Sequence, residues 1–173
     1  MTTTSQLQVV DITDPSSAEP VRELLRTFVQ WHFERHTEDK ELISEYFDKA
    51  SFDKELEELP GKYVYPDGAL LLAYYNEEPA GCVALKRIDA ESCEMKRMFV
   101  YPRFQGAGVG KTLAVAIVEK ARALGFHKMK LDTSHRQIEA QRLYHKIGFV
   151  DCEPYYELPE RLREWLVFME VEL

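Results

Sequence analysis

Apolar residues recur along the chain with two different periods, and each period predicts one type of element. Spacings of three and four residues predict helices over 18–35, 113–124 and 138–147, with a second, acid-rich helical region over 39–59 that stops at Pro60. Short apolar runs bounded by turn residues predict strands at 7–12, 69–75, 80–87, 93–100, 128–132 and 165–171. This order predicts a mixed α/β sheet with helices on both faces.

Length and composition narrow the class of protein. The 173 residues suit a single domain covering 1–173. A net charge of -8 argues against nucleic acid as a partner, because such binding depends on Lys and Arg. No apolar run approaches the roughly 20 residues that span a bilayer, so no membrane is expected. The polar start, Met1–Ser5, is not a signal peptide, and a cytoplasmic protein is expected.

Cysteine and histidine spacing predicts neither a disulfide framework nor a metal site. The three cysteines are odd in number, and no two form a CxxC pair. A reducing compartment fits this usage. His32 and His36 are four residues apart, the spacing of two ligands on one helix face, but no third ligand is evident. We therefore expect no bound metal.

A glycine-rich turn follows the predicted strand at 93–100 and opens the next helix. The segment from Gln105 to Lys111 reads Gln-Gly-Ala-Gly-Val-Gly-Lys. Such a turn lets backbone N–H groups converge on an anion, although it can also open a helix without any ligand. The nucleotide P-loop would need glycine at 105, and the Rossmann fingerprint would need glycine at 111. Both patterns therefore fail by one residue.

The pattern that fits is [QR]-x-x-G-x-[GA], with Gln105, Gly108 and Gly110. It resembles the acetyl-CoA loop of the GNAT superfamily of N-acetyltransferases. The preceding strand at 94–102 also resembles this superfamily, and the later Ala140-x-x-Leu-Tyr-x-x-x-Gly-Phe resembles its second signature helix. Family members often carry Asn three residues before that alanine. This chain departs from that pattern and has Gln137 instead.

The resemblance implies a fold and a cofactor. It implies a single GNAT-like domain with a mostly antiparallel, twisted sheet of about six to seven strands. Residues 80–150 would form the acetyl-CoA-binding core, and 1–65 would form variable helices on the acceptor side. Acetyl-CoA would be the co-substrate, held by backbone N–H groups of the turn and by a strand whose backbone pairs with the pantetheine arm. The implied contacts are Met98, Phe99, Val100, Gln105, Gly106, Ala107, Gly108, Val109, Gly110, Lys111 and Gln137.

Two residues are predicted to be catalytic by the same resemblance. Tyr144 would be the general acid that protonates the departing thiolate, and Glu94 would be the general base. Strand alternation would place Glu94, Lys96, Met98 and Val100 on one face. A half-buried aromatic and a solvated carboxylate are the alternatives for these two positions, and a water chain is an alternative base.

The acceptor side is predicted less sharply. The aromatic candidates for its walls are Trp31, Phe33, Tyr46, Phe47 and Phe52. Four acidic residues could attract a cationic amine, and they are Glu34, Glu38, Asp39 and Glu41. Tyr155, Tyr156 and Glu157 could close over the acceptor. For the phosphates, Lys111 is a better candidate than Arg103.

These residues predict an enzyme that moves an acetyl group from acetyl-CoA to a primary amine of a small molecule, by direct attack in a ternary complex. Three alternatives stay open. They are acetylation of a protein N-terminus or lysine, a non-catalytic acyl-CoA-binding regulatory module, and nucleotide binding. A homodimer is common in the superfamily and is also left open.

Overall fold

Seven strands form one sheet in the computed structural model, which describes residues 6–173. Along the sheet the order is β1-β2-β3-β4-β5-β7-β6, and every neighbouring pair is antiparallel except β4 and β5. The strands are β1 (Leu7–Asp11), β2 (Gly68–Tyr75), β3 (Glu78–Arg87), β4 (Ser92–Val100), β5 (Lys128–Ser134), β6 (Val150–Asp151) and β7 (Leu166–Glu172). The predicted mixed, mostly antiparallel α/β sheet is confirmed, whereas the prediction for Met1–Ser5 lies outside the described residues.

Six α-helices of the described part of the chain cover the two faces of the sheet. They are α1 (Glu19–Arg35), α2 (Lys40–Tyr46), α3 (Lys49–Glu58), α4 (Val109–Ala123), α5 (Ile138–Lys146) and α6 (Glu160–Trp165). The buried side chains form two clusters, one beneath α4 and α5 and one beneath the other four helices. Strand β2 supplies both clusters, because Leu70 and Leu72 point to one face and Leu71 to the other.

The acid-rich region predicted as one helix over 39–59 is two helices. Phe47 leaves the helical conformation with φ −99° and ψ 70°, and its side chain is buried. The Asp48 carboxylate then accepts a hydrogen bond from the Ser51 N–H at 3.0 Å and caps α3. A buried aromatic and a capping aspartate at consecutive positions therefore divide the region.

The end of the chain also differs from the prediction. The strand expected at 165–171 begins at Leu166, and Trp165 instead ends helix α6. Pro159 is the residue immediately before this helix, and its backbone is still extended, with φ −53° and ψ 143°. The six-residue helix is too short to show a clear apolar period, so the sequence pattern did not reveal it.

Strand β4 has two irregular features, a short pairing with β5 and a β-bulge. Its parallel pairing with β5 covers only Ser92–Glu94 against Lys128–Lys130, and beyond Glu94 no strand of the described chain borders that edge. Arg97 adopts a positive φ of 57°, and the register with β3 shifts there. This β-bulge bends the strand and reverses its alternation.

The bulge overturns one expectation. Glu94, Lys96, Met98 and Val100 do not share a face. Met98 and Val100 pack against the cluster beneath α4, whereas Glu94 and Lys96 lie on the face of α1, opposite Lys86 and Ala84. The extra residue at the bulge shifts every later side chain to the other face.

Candidate active site

A cleft begins where β4 and β5 separate. Its larger part, here called the glycine-turn half, has a volume of about 420 Å³, and its smaller part, the gap half, about 100 Å³. Residues that line both halves are Phe28, Met98, Gln137, Ala140 and Tyr144. The two halves are therefore one continuous cleft that passes through the opening in the sheet.

Nine of the eleven predicted cofactor contacts line the glycine-turn half. They are Met98, Phe99, Val100, Gln105, Gly106, Gly108, Gly110, Lys111 and Gln137. Ala107 and Val109 do not line it; the Val109 side chain is buried in the core beneath α4. The predicted strand, turn and helix therefore converge on one cavity, as expected for a ligand-binding site.

The glycine turn leaves several backbone donors without partners among residues 6–173. The first bond of the α4 ladder runs from Thr112 N–H to the Gly108 carbonyl at 3.1 Å, so the N–H groups of Val109, Gly110 and Lys111 precede it. Gly106 and Gly108 have φ of +85° and +84°, and a Cβ at either position would meet no atom within 4 Å. Open space, free donors and a helix N-terminus fit the phosphates of coenzyme A.

Two side chains near the turn, Gln105 and Arg103, have other contacts than the sequence suggested, whereas Lys111 is placed as predicted. The Gln105 amide donates to the Val100 carbonyl at 3.2 Å and so closes the turn against β4. Arg103 pairs with Glu78 and lies over the rings of Tyr101 and Phe104. Lys111 is exposed and lines the cleft, so it is the better placed of the two predicted cations.

Tyr144 lies at the junction of the two halves. Its ring is buried in the cluster beneath α4, where it contacts Phe149, and its hydroxyl has no hydrogen bond within residues 6–173. Burial raises the pKa of Tyr144 above its ordinary value, and the charge of Asp132 adds to this shift. The hydroxyl therefore keeps its proton at neutral pH and can donate it.

Glu94 lines the gap half, but it is not a solvated carboxylate. Its side chain is almost fully buried, and Oε2 accepts a 2.5 Å hydrogen bond from the Tyr155 hydroxyl. The ammonium groups of Lys86 and Lys96 each lie 3.6 Å from Oε1. Two cations thus already lie beside one oxygen of this carboxylate, and a hydroxyl donates to the other.

A second carboxylate, Asp132, also lines the gap half, although the sequence pattern predicts it only as the end of a strand. Its oxygens accept hydrogen bonds from the hydroxyls of Tyr46 at 2.5 Å and Tyr156 at 2.6 Å. Burial raises the pKa of Asp132, while those two hydrogen bonds act in the opposite direction. Strand β5 reads Lys-Met-Lys-Leu-Asp-Thr-Ser, so a polar residue is ordinary there and the strand's composition gave no signal for this carboxylate.

The predicted acceptor residues divide into two groups. Trp31, Tyr46 and Phe47 line the cleft, and Phe28 joins them without having been predicted. Phe33, Phe52 and Glu157 line neither half. Tyr155 and Tyr156 line an adjoining cavity of about 460 Å³ that shares Glu94 with the gap half.

The acidic group predicted to attract an amine lies outside the cleft. Glu34, Glu38, Asp39 and Glu41 line neither half. Asp39 instead binds Arg136 and accepts a 3.1 Å hydrogen bond from the Trp165 indole, so it holds helices together.

Metal-binding and membrane-spanning features are likewise absent from the part of the chain that is described. His32 contacts the Gln137 amide at 3.2 Å, and burial lowers its pKa to about 4. No cluster of three or more His, Cys, Asp or Glu side chains in residues 6–173 could hold a metal ion. Within the same range, no helix combines the length and the apolar character needed to cross a membrane.

Comparison with known proteins identifies the family. The model of the Acetyltransferase (GNAT) family matches residues 25–149. An uncharacterized N-acetyltransferase of Schizosaccharomyces pombe is 36% identical over 129 residues, which cover 69% of this chain and 79% of that protein.

Solved structures share the fold. An acetyltransferase from Streptococcus agalactiae superposes with a TM-score of 0.71 at 22% identity, covering 96% of this chain and 98% of that one. The PaiA N-acetyltransferase from Thermoplasma acidophilum, solved with coenzyme A, also gives 0.71 at 18% identity, covering 97% and 99%. The chain belongs to the acetyltransferase (GNAT) family and is an acetyl-CoA-dependent acyltransferase.

Proposed function

We propose that this enzyme transfers the acetyl group of acetyl-CoA to a primary amine of a small molecule. The observation that carries the proposal is the opening between β4 and β5, which joins the glycine-turn half of the cleft to the gap half. Acetyl-CoA supplies an activated acetyl thioester, and the opening lets a thioester held on one side meet an amine held on the other.

The glycine-turn half is proposed to hold coenzyme A. Backbone N–H groups of Val109, Gly110 and Lys111 would bind the pyrophosphate, with the Lys111 side chain adding positive charge. The edge of β4 around Met98 and Val100, which faces no strand of the described residues, offers backbone groups to the pantetheine arm. A backbone N–H near Met98 could stabilise the developing oxyanion.

Tyr144 is proposed as the general acid. Its free, protonated hydroxyl lies where the two halves of the cleft meet, so it can reach a sulfur atom that leaves at that point. The role of Glu94 as general base stays a prediction. The carboxylate faces the gap half, but it is already bound by Tyr155 and flanked by two lysines.

The gap half supports a small acceptor. Its volume is only about 100 Å³, and aromatic side chains of α1 and α2 cover it, among them Phe28, Tyr46 and Phe47. A protein substrate would need an open groove to admit a peptide backbone. Enclosure by two helices therefore favours a small-molecule amine over a protein N-terminus or lysine.

Calorimetric titration with acetyl-CoA, with ATP as the control, tests the cofactor half first. We expect saturable binding of acetyl-CoA alone, followed by thiol release in the presence of an accepted amine. Folded protein that does not bind acetyl-CoA would overturn the proposal. Binding without thiol release from any amine would instead favour a non-catalytic acyl-CoA-binding module.

A further inference from the structure

Asp132 occupies the point where the sheet opens. It lies two residues beyond Lys130, the last β5 residue paired with β4, and its remaining strand neighbour is β7, where Phe168 lies opposite. Alternation along β5 places Leu131 in the cluster beneath α4 and Asp132 on the opposite face. Tyr144 packs in the cluster beneath α4, so the acid candidate and this carboxylate approach the opening from opposite faces.

The carboxylate of Asp132 is held without a cation. The hydroxyls of Tyr46 and Tyr156 each donate to one of its two oxygens, and no Lys, Arg or His nitrogen of residues 6–173 lies within 4.0 Å. Burial of a carboxylate without a cation is costly, so such a group is a candidate for a functional role. Glu94, by contrast, has two lysines beside it.

We propose that Asp132 binds the ammonium group of the acceptor and removes its proton, an inference that rests on the proposed function. The ammonium proton passes to the Asp132 carboxylate, and the freed amine nitrogen forms a bond to the acetyl carbon as the carbon–sulfur bond breaks. Tyr144 gives its proton to the leaving sulfur. The amine nitrogen loses a second proton as the amide forms; of its two lost protons, one replaces the proton that Tyr144 gave to sulfur and the other passes to solvent, so Tyr144 and Asp132 return to their starting states.

The surroundings of Asp132 suit this task. The hydroxyls of Tyr46, on α2, and Tyr156, in the segment before α6, orient the carboxylate from two elements. Burial favours its protonated form and so strengthens it as a base. The titratable groups that face it are Tyr46 on α2, Tyr155 and Tyr156 before α6, Glu94 and Lys96 on β4, and Tyr144 on α5.

The test is the pH dependence of kcat/KM for Asp132→Asn and Glu94→Gln, with Asp151→Asn as a matched control at the exposed strand β6. The acceptor is the best substrate in a panel of ethylamine, benzylamine, spermidine, glycinamide and the common L-amino acids, followed by thiol release. All proteins are checked for acetyl-CoA binding and thermal unfolding. These controls separate a loss of catalysis from a loss of cofactor binding or folding.

With Asp132 as base, the wild-type enzyme uses the protonated amine, and kcat/KM is flat through neutral pH. Asp132→Asn can use only neutral amine from solution. Its kcat/KM should be about 10²-fold lower at pH 7 and rise about tenfold per pH unit toward the pKa of the amine. Glu94→Gln should keep the flat profile at a lower rate, and Asp151→Asn should match the wild-type enzyme.

Four results would overturn the inference. The first is a loss of kcat/KM that is equal at every pH for Asp132→Asn. The second and third are a kcat/KM that rises with pH in Glu94→Gln instead of Asp132→Asn, or in the wild-type enzyme. The fourth is no turnover of any panel amine by protein that binds acetyl-CoA. None of the four touches the cofactor half of the proposed function. That half fails separately, if folded wild-type protein does not bind acetyl-CoA.

Discussion

The guanidinium of Arg97 and the carboxylate of Glu55 form an ion pair in the interior, with Nε donating to Oε2 at 2.7 Å. Arg97 is the bulge residue of β4, and Glu55 lies on α3, so the pair ties the opened strand to the helices above it. Burial alone would raise the pKa of Glu55, but the charge of Arg97 and its hydrogen bonds lower it to about 2.

Removal of Glu55 should destabilise the protein strongly. Glu55→Ala leaves Arg97 buried without its partner, and we expect the free energy of unfolding to fall by about 3–5 kcal/mol in urea titrations. Asp53→Ala, on the same helix, breaks the exposed pair with Lys49 and should cost less than about 1 kcal/mol. Equal losses for the two variants would contradict this account of the bulge.

Cofactor binding should fail when a side chain enters the glycine turn. Gly108→Glu places bulk and negative charge where the phosphates would lie, so we expect calorimetry to show an affinity for acetyl-CoA lower by about 100-fold or more. Gly125→Glu is the matched control, because Gly125 has φ +88°, equal open space and a position at the other end of α4. Normal acetyl-CoA binding by Gly108→Glu would refute the assignment of the turn.

Turnover should fall without loss of cofactor affinity in Tyr144→Phe. Coenzyme A is a fairly good leaving group, so we expect kcat to drop by about tenfold, less than the 10²–10⁴ of a strong acid–base catalyst. Stability should be unchanged, because the hydroxyl has no hydrogen bond within residues 6–173. Tyr65→Phe, at an exposed site, is the control. Unchanged kcat in Tyr144→Phe would exclude it as the acid.

Stability should decrease on mild acidification because His32 is buried in its neutral form. Its pKa is lowered to about 4 in the folded protein, mainly by burial, so the unfolded chain binds more protons between that pH and about 6.5. The contribution of neutral His32 to the free energy of unfolding is therefore fully present above pH 6.5, and it is lost as the pH falls toward 4. We expect a loss of about 2 kcal/mol between pH 7 and 4.5.

The matched variants for this pH effect are His32→Gln and His127→Gln. The first removes the buried titrating group and should flatten the dependence, whereas the second removes an exposed histidine and should leave it intact. Unfolding in urea across the pH range gives the comparison. A steep dependence that survives His32→Gln would place its source elsewhere, such as His36, whose pKa is also lowered by burial.

Local sequence determined the elements and the residues of the glycine-turn half of the cleft. Periodicity and turn residues predicted the strands and most helices, because each depends on neighbours a few residues apart. The glycine turn from Gln105 to Lys111 lies next to its strand and helix, so its motif could be recognised in the sequence alone. Tyr144 was predicted as the acid in the same way, from the short motif that begins at Ala140.

Tertiary structure decided which side chains meet in the gap half of the cleft. The bulge at Arg97 is stabilised by Glu55, 42 residues away, and it moved Met98 away from the face of Glu94. Asp132 gained its tyrosine partners from two distant segments, 86 and 24 residues away. The spacing of residues along the chain predicts one helix or strand at a time. These contacts, in contrast, form only when packing brings separate elements together.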